Sequence, residues 1–400
     1  MNRNYRVEMR SFLDGTNRSA LARAFRLCTL PFSIPYSLIV RGRNAAYDRG
    51  IIKSQKATRP IVSVGNLTMG GVGKTPFVAW LTNAVIQSGK QAALVSRGYK
   101  AQAQKRTLES QNAYLGSLKW LSKALALEPD ARQFFYFNDE ACELALRFPD
   151  TPHFVCANRF EAVQAITRLF PEIDAILLDD AFQHRRMARN LDIVLLDALS
   201  PFGGEHLAPS GYLREPLEGL KRANVVILNR ADLISKDARD TIRNRVVGYA
   251  PHALWCEISQ RPRFVMQRIS TPLGKELRRE EFTKWQGALQ SRNVLAFCGL
   301  GAPQGFQKTL LAERFNLVSF MAFSDHCVYT HDDFLTIDRT ASRFGADVVL
   351  TTMKDFVKLD GQEPIEQPVL ALGIDVEFLS GEAEFKRMLT AVLDEPKSGK

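Results

Sequence analysis

A lysine and a threonine, Lys74 and Thr75, end a glycine-rich stretch of a kind that binds the phosphates of nucleoside triphosphates. An apolar run, 61–65, precedes this stretch, and apolar residues recur with helical spacing after it, which predicts a strand, a phosphate loop and a helix. Backbone N–H groups of such a loop surround phosphate oxygens, the lysine reaches the terminal phosphates, and the threonine hydroxyl faces Mg²⁺. The predicted nucleotide-binding residues are Thr68, Met69, Gly70, Gly71, Val72, Gly73, Lys74, Thr75 and Pro76.

The loop departs from the strict pattern at Thr68, which stands where the first glycine belongs. A tight turn before a helix would also be rich in glycine, because such turns need positive φ angles. The apolar run before the loop, together with Gly70 and Gly71, favours the phosphate-loop interpretation.

Two adjacent carboxylates, Asp179 and Asp180, follow a second apolar run, 175–178. In phosphate-loop enzymes, a carboxylate at the end of such a strand holds the Mg²⁺ that bridges the β- and γ-phosphates. Thr75, Asp179 and Asp180 are therefore the predicted metal ligands, and Gln183 and His184 are predicted to line the same site. The alternative is that Asp179 and Asp180 cap a helix beside ordinary surface residues.

Four further side chains have types that suit phosphoryl transfer. Arg97 and Arg159 follow the predicted strands 91–95 and 153–156, and arginine offers paired donors that match phosphate oxygens. A kinase must also orient or deprotonate the acceptor hydroxyl, which a carboxylate paired with a histidine can do. Asp139 and His326 are the candidates, and they meet only if two domains close over the site.

The elements that must position these residues alternate between strands and helices. Residues 51–252 predict a largely parallel sheet covered on both faces, and polar residues recur where its strands end, which is where open α/β sheets bind ligands. Residues 253–291 contain few long apolar runs and predict a linker with hairpin strands. The alternation resumes over 292–400 as a second, smaller α/β unit that a helix over 382–393 completes.

The composition and the N-terminal segment, 1–50, limit the partners. The chain has 400 residues, 46% of them hydrophobic, a net charge of +10 and scattered cysteines, which indicates a globular protein with reduced thiols. No basic stretch is interleaved with aromatic residues, so nucleic acid is the weaker partner. The apolar run 27–40 is shorter than the roughly 20 residues of a membrane span, contains Pro31 and Pro35, and is flanked by arginines. We expect it to lie in the membrane interface, the alternative being a helix packed on the protein's own core.

Taken together, these stretches resemble the tetraacyldisaccharide 4'-kinase family, the lipid A 4'-kinases. The motifs are 65–76, Ser96-Arg97-Gly98-Tyr99, 179–184, the Leu-Arg-Glu-Pro motif 213–216, Asp325-His326 and 352–355. The resemblance runs from about residue 41 to residue 372. Four positions depart from the family pattern: Ala181 replaces a glycine, Asn138 and Ala141 replace the first and last residues of the family's Gly-Asp-Glu-Pro motif, and Met353 replaces a glutamate.

The resemblance implies two α/β/α domains, the first a phosphate-loop NTPase-like core, joined by a β-ribbon linker. It implies transfer of the γ-phosphate of ATP to the 4'-hydroxyl of a tetraacyldisaccharide 1-phosphate, which forms lipid IVA. It further implies ATP and Mg²⁺ as cofactors and a monomer associated with the cytoplasmic face of the inner membrane. By position, Lys74 would bind the β- and γ-phosphates, Asp139 with His326 would activate the hydroxyl, and Arg97 and Arg159 would contact phosphates.

Two other interpretations stay open at this point. Asn229-Arg230-Ala231-Asp232 follows a predicted strand and resembles the guanine-reading motif of phosphate-loop GTPases, so the chain could be a GTPase switch or an assembly NTPase. Against this, Arg230 replaces the usual lysine, and no glycine follows Asp180. The second alternative is a membrane-associated protein that binds a nucleotide without catalysis.

Overall fold

The protein is described by a computed structural model over residues 19–98, 118–127, 135, 138–271, 274–301, 303–359 and 363–395. Tyr99 of the second motif, and the N-terminal segment before residue 19, lie outside the described residues. The chain forms two compact units. Among the described residues, the larger contains those up to Ala141, Arg147–Gln260 and those from Val376 to Glu395, and the smaller contains Cys142–Leu146 and Arg261–Asp375.

The larger unit is built on a parallel sheet. Its strands are β1 (Ile61–Asn66), β2 (Ala92–Ser96), β3 (His153–Val155), β4 (Ala175–Asp179), β5 (Leu191–Asp197) and β6 (Val225–Asn229). They lie side by side in the order β6, β5, β1, β4, β2, β3, and each pair is parallel. Every residue of these strands is buried, which is typical of a parallel sheet with helices on both faces. The predicted α/β fold is confirmed.

Helices connect these strands or flank them. The described helices up to residue 249 are α1 (Ala20–Asp48), α2 (Lys74–Gln87), α3 (Lys119–Leu127), α4 (Asp139–Arg147), α5 (Arg159–Leu169) and α6 (Lys236–Tyr249). Short 3₁₀ turns lie at Gly203–Glu205, Leu217–Arg222 and Ala231–Leu233. Since α2 follows β1 directly, the strand, loop and helix predicted around Lys74 are present.

The first helix, α1, runs without a break through Pro31 and Pro35. Each proline removes one backbone donor, and both rings are exposed. The Ser33 hydroxyl donates to the carbonyl oxygen of Leu207 at 2.9 Å, and the Tyr36 hydroxyl donates to the carbonyl oxygen of Arg214 at 2.8 Å. The C-terminal part of α1 is therefore fastened to the larger unit. Among the described helices, none combines the length and the apolar character needed to cross a membrane.

The smaller unit contains a further group of strands and helices. Its elements are β7 (Leu254–Thr271, from Arg261), β8 (Gly274–Glu281), α7 (Phe282–Gln290), β9 (Asn293–Cys298), α8 (Pro303–Ala312), β10 (Asn316–Ala322), α9 (His331–Arg343), β11 (Val348–Thr352), α10 (Met353–Phe356) and β12 (Val369–Ser380, to Asp375). Strands β10, β9, β11 and β12 are parallel in that order, while β7 and β8 form an antiparallel hairpin. The hairpin strands predicted within 253–291 are therefore present. Phe297, Phe323 and Tyr329 meet edge to face in the core of this unit.

The last described helix, α11 (Glu382–Leu393), has the predicted bounds but a different place. The sequence predicts that it completes the smaller unit, and the structure assigns it to the larger one. Phe385 packs against Phe77 and Trp80 of α2, with ring centroids 6.0 Å and 5.7 Å apart. The prediction was wrong because helical spacing identifies an apolar face but not the surface that covers it.

Candidate active site

The phosphate loop lies between the end of β1 and the start of α2. Gly70 and Gly73 have φ angles of 94° and 74°, in the left-handed region that favours glycine. The side-chain amide of Asn229 donates to the carbonyl oxygen of Val72 at 2.7 Å, and that of Gln260 donates to the carbonyl oxygen of Gly73 at 3.2 Å. A Cβ atom on Gly73 would overlap both amide groups. The end of the loop therefore requires glycine for conformation and for space.

The start of the loop pairs with the Leu-Arg-Glu-Pro segment. Thr68 forms an antiparallel bridge with Leu213, and the backbone N–H of Met69 donates to the carbonyl oxygen of Tyr212 at 2.6 Å. The φ angle of Thr68 is not positive, so this position needs no glycine. This explains the departure from the strict pattern.

Lys74 is the first residue of α2, and its ammonium group is held toward the end of β4. Its Nζ donates to Oδ1 of Asn66 at 3.0 Å and lies 3.2 Å from Oδ1 of Asp180. Thr75 and Pro76 follow in the first turn of α2 and are half-buried. The predicted loop lysine, the threonine and one of the two predicted carboxylates thus lie together.

Asp179 and Asp180 are neighbours with opposite electrostatics. Burial, followed by the negative charge of Glu140, raises the pKa of Asp179 from 3.8 to about 7. Its Oδ1 atom is buried and has no hydrogen-bond partner among the described residues. Burial also acts to raise the pKa of Asp180, but the charges of Lys74 and Arg214 outweigh it and hold that pKa below its usual range. Arg214 donates to both oxygens of Asp180, at 2.7 Å and 3.0 Å.

Arg97 and Arg159 follow two adjacent parallel strands, as the sequence predicted. Arg159 is buried and donates to the carbonyl oxygens of Ala157 at 3.0 Å and of Asp180 at 3.1 Å. Burial lowers the pKa of Arg159 to about 10; the negative charge of Asp180 opposes this shift, and the positive charge of the exposed Arg97 contributes to it. Two positive charges that repel each other favour the binding of an anion in this part of the site.

Gln183 and His184 differ in what they contact. The Gln183 amide donates to the carbonyl oxygen of Asn66 at 2.8 Å and to Oε1 of Glu215 at 3.0 Å. Burial, followed by the charge of Arg159, lowers the pKa of His184 to about 4. The imidazole of His184 is therefore neutral near pH 7, and its buried Nε2 has no hydrogen-bond partner among the residues described.

Asp139 and His326 lie in different units. Asp139 is the first residue of α4 and is buried in the larger unit. His326, in the smaller unit, has a φ of 56°, and its Nε2 lies 4.0 Å from Oδ1 of Asp325. Asp325 in turn pairs with Lys354 at 3.0 Å. Each residue has a defined local environment, and the pairing of Asp139 with His326 stays a prediction.

Sequence reasoning gave no role to several charged and polar residues of this site. Arg214 and Glu215 lie in the Leu-Arg-Glu-Pro motif, Asn66 ends β1, and Glu140 follows Asp139. Each lies within one residue of a quoted motif or inside one, which is the signal that could have identified it. Glu215 is fully buried, and a buried glutamate requires several donors close by.

The comparisons with known proteins point to one family. A family model described as LpxK, tetraacyldisaccharide-1-P 4'-kinase, matches residues 25–394. The chain belongs to this family. A curated tetraacyldisaccharide 4'-kinase of Chlorobium luteolum is 32% identical over 380 residues, which is 93% of this chain and 99% of that protein. The corresponding protein of Geobacter metallireducens is 35% identical over 328 residues, 82% of this chain and 86% of the relative.

A solved structure supports the same relationship. The crystal structure of LpxK from Aquifex aeolicus in complex with ATP superposes with a TM-score of 0.66 at 26% identity, covering 92% of this chain and 99% of that one. Family membership overturns the GTPase interpretation of Asn229-Arg230-Ala231-Asp232. In this structure, the Asn229 amide holds the phosphate loop, and Arg230 forms an ion pair with Asp197 at 2.6 Å.

Proposed function

We propose that the protein transfers the γ-phosphate of ATP to the 4'-hydroxyl of a tetraacyldisaccharide 1-phosphate, the lipid IVA-forming step of lipid A biosynthesis. The proposal rests on one observation: in a chain of this family, Lys74 lies beside the adjacent carboxylates Asp179 and Asp180 at the end of the phosphate loop. The curated relatives bear the name of this kinase, and the related Aquifex aeolicus structure is a complex with ATP.

Mg²⁺ fits the residues of this site. The unpartnered, buried Oδ1 of Asp179 suits a hard cation, which would offset the burial and the negative charge of Glu140 that together raise the pKa of Asp179. Asp179 and the Thr75 hydroxyl are therefore the proposed metal ligands. Asp180 was predicted as a third, but its carboxylate already binds Lys74 and Arg214, so its proposed role is to orient the lysine. When bound, Mg²⁺ neutralises charge on the β- and γ-phosphate oxygens.

The remaining roles follow from position and charge. Lys74 binds the β- and γ-phosphates, and Arg97 with Arg159 supplies positive charge beside the transferred group. The neutral His184 and the anchored Gln183 line the site. Asp139 takes the proton of the acceptor hydroxyl, and His326 pairs with Asp139 in this step.

Helix α1 is the proposed membrane contact within the N-terminal segment 1–50. Its large exposed apolar side chains are Leu21, Leu27, Leu30, Phe32, Ile34, Leu38 and Ile39, and Leu21, Leu27 and Ile39 are each 69% exposed. Arg41 and Arg43 are exposed just beyond this apolar stretch. Apolar side chains followed by basic ones suit a helix in the interface of an anionic membrane. The cytoplasmic face of the inner membrane and a monomeric state belong to the same proposal.

The deciding experiment measures phosphate transfer from labelled ATP to a tetraacyldisaccharide 1-phosphate in mixed micelles. Lys74→Ala is the matched variant, because it removes the ammonium group that faces the phosphates while α2 keeps a good helix former. We expect transfer by the wild type and a loss of at least about 100-fold in the variant, as for other phosphate-clamping groups. Transfer that does not depend on Lys74 would contradict the assignment of the site, and ATP hydrolysis without transfer would contradict the proposed acceptor.

A further inference from the structure

The segment 207–216 lies between helix α1 and the phosphate loop and bonds to both. On one side, Ser33 and Tyr36 of α1 donate to its carbonyl oxygens. On the other, the backbone N–H of Arg214 donates to the carbonyl oxygen of Leu67 at 2.7 Å, and the Arg214 guanidinium binds Asp180. The segment therefore links the helix with exposed apolar side chains to the carboxylates of the site.

Glu215 is the most buried charged group of this segment, with a fully buried side chain. Its Oε2 accepts from Nδ2 of Asn44 on α1 at 3.1 Å, and its Oε1 accepts from Nε2 of Gln183 at 3.0 Å. Arg222 donates to both oxygens, at 2.9 Å and 2.8 Å. Gln183 also donates to the carbonyl oxygen of Asn66, the residue that holds Lys74. One carboxylate thus joins α1 to the end of the phosphate-loop strand.

A second connection runs in parallel. Nη1 of Arg185 donates to the carbonyl oxygen of Asn44 at 3.0 Å, and Nη2 binds Asp48 at 2.7 Å. The turn that carries Gln183 is therefore connected to the last turns of α1 in two ways. Gln183 reaches Asn44 through Glu215, and Arg185 bonds to α1 directly. Asn44 is the residue common to both connections.

We propose that Glu215 is a positioning residue that couples α1 to phosphoryl transfer. It fixes Gln183, and through Asn66 the ammonium group of Lys74, relative to the helix that contacts the lipid surface. This inference rests on the proposed function, because it assigns a consequence to the membrane contact of α1. The predicted signature is a change in kcat with little change in the KM for ATP, since the Glu215 carboxylate bonds to the side chains of Asn44, Gln183 and Arg222 and not to the backbone of the phosphate loop.

The chemistry of the cluster supplies a sharp test. Four N–H···O bonds converge on the two oxygens of Glu215, and a carboxylate can only accept. In Glu215→Gln the new NH₂ group faces Arg222, which only donates, whichever oxygen it replaces, so one Arg222 contact is lost; in the present amide orientations the contact with Asn44 or with Gln183 is lost as well. Asn44→Asp alone places two carboxylates together, but combined with Glu215→Gln it gives the new NH₂ group an acceptor and keeps the total charge unchanged.

The experiment measures kcat and the KM for ATP in mixed micelles for the wild type, Glu215→Gln, Asn44→Asp and the double variant. Each kcat is normalised to the concentration of folded enzyme. We expect each single variant to lower kcat roughly tenfold or more, with the KM for ATP within about twofold, and the double variant to recover most of the loss. The control is Glu218→Gln, which removes an exposed carboxylate that pairs with Arg41, and we expect no change there. Wild-type kcat in Glu215→Gln with only a lowered melting temperature would overturn the inference and make Glu215 a structural residue.

A readout that does not depend on the substrate separates the two proposals. We expect Asn44→Ala to speed backbone amide exchange in residues 183–187 of the full chain, because Glu215 loses its contact with α1, while the bonds of Arg185 to the Asn44 carbonyl oxygen and to Asp48 remain. Unchanged exchange in that turn would overturn the coupling even if the kinase assay succeeds. Absence of lipid phosphorylation by the wild type would instead overturn the proposed function, while faster exchange in the variant would still support the coupling.

Discussion

The adjacent carboxylates predict opposite stability effects for two otherwise identical substitutions. Asp179→Asn removes a buried negative charge that has no hydrogen-bond partner on Oδ1 among the described residues. Asp180→Asn removes a charge that binds both Lys74 and Arg214. Asparagine is nearly isosteric with aspartate, and it tolerates the φ of 50° at position 180. We expect the first substitution to stabilise the ligand-free protein at pH 8 and the second to destabilise it.

The magnitude follows from the pKa of Asp179, which rises from 3.8 to about 7 on folding. A pKa raised on folding means that the folded state holds the proton more tightly, so the free energy of unfolding falls as pH rises through this window. The whole penalty is present above pH 7 and amounts to on the order of 4 kcal/mol, at about 1.4 kcal/mol per pKa unit. The buried amide of the variant costs about 1–2 kcal/mol in its turn, so we expect a net gain of roughly 2–3 kcal/mol.

The assay is equilibrium unfolding of the ligand-free protein at pH 8 and pH 5, without divalent cations. The advantage of Asp179→Asn should shrink by roughly half or more at pH 5, where Asp179 is largely protonated in the folded wild type. The contribution of Asp180 persists at both pH values, because its lowered pKa gives stability that is lost only as pH falls below 3.8. A pH-independent difference, or a less stable Asp179→Asn at pH 8, would refute this account of the two carboxylates.

Two further predictions concern catalysis and the membrane. Asp139→Ala and His326→Ala should each lower turnover by roughly 10²–10⁴-fold while ATP still binds, as measured by single-turnover kinetics and nucleotide titration; wild-type rates would remove these residues from the proton transfer. Replacing the exposed Leu38 and Ile39 by serine should weaken binding to anionic vesicles at least about tenfold in a flotation assay, because each loses a buried apolar side chain in the interface. Unchanged flotation would move the membrane contact elsewhere on the protein.

Four strands of the larger unit could be predicted to within one residue at each end. Its strands are continuous apolar runs because both faces are buried, and the predicted strand 175–178 differs from the observed Ala175–Asp179 by one residue. The loop around Lys74 was equally readable, since glycine, lysine and threonine each answer a distinct chemical need there. The meeting of Asp180 with Lys74 followed from the rule that parallel strands present their carboxyl ends at one edge.

What the sequence did not reveal depends on contacts between distant parts of the chain. The surface that covers α11 lies about 300 residues earlier, on Phe77 and Trp80, and no local pattern records it. The donors around Glu215 come from residues before and after it, so its burial could not be read from its own neighbours. Pro31 and Pro35 lie inside α1 without breaking it, because propensity is a weak guide where a helix is held by its neighbours.

The position of α11 bears on the order in which the protein can fold during synthesis. The residues from Val376 onward belong to the larger unit, yet the ribosome makes them only after all of Arg261–Asp375. Until they emerge, Phe77 and Trp80 on the phosphate-loop helix lack their cover, and Cys256 lacks its contact with the carbonyl oxygen of Gly381. The nascent larger unit therefore exposes an apolar face while residues Arg261–Asp375 of the smaller unit are translated. A chaperone has its clearest opportunity to bind the chain during that interval.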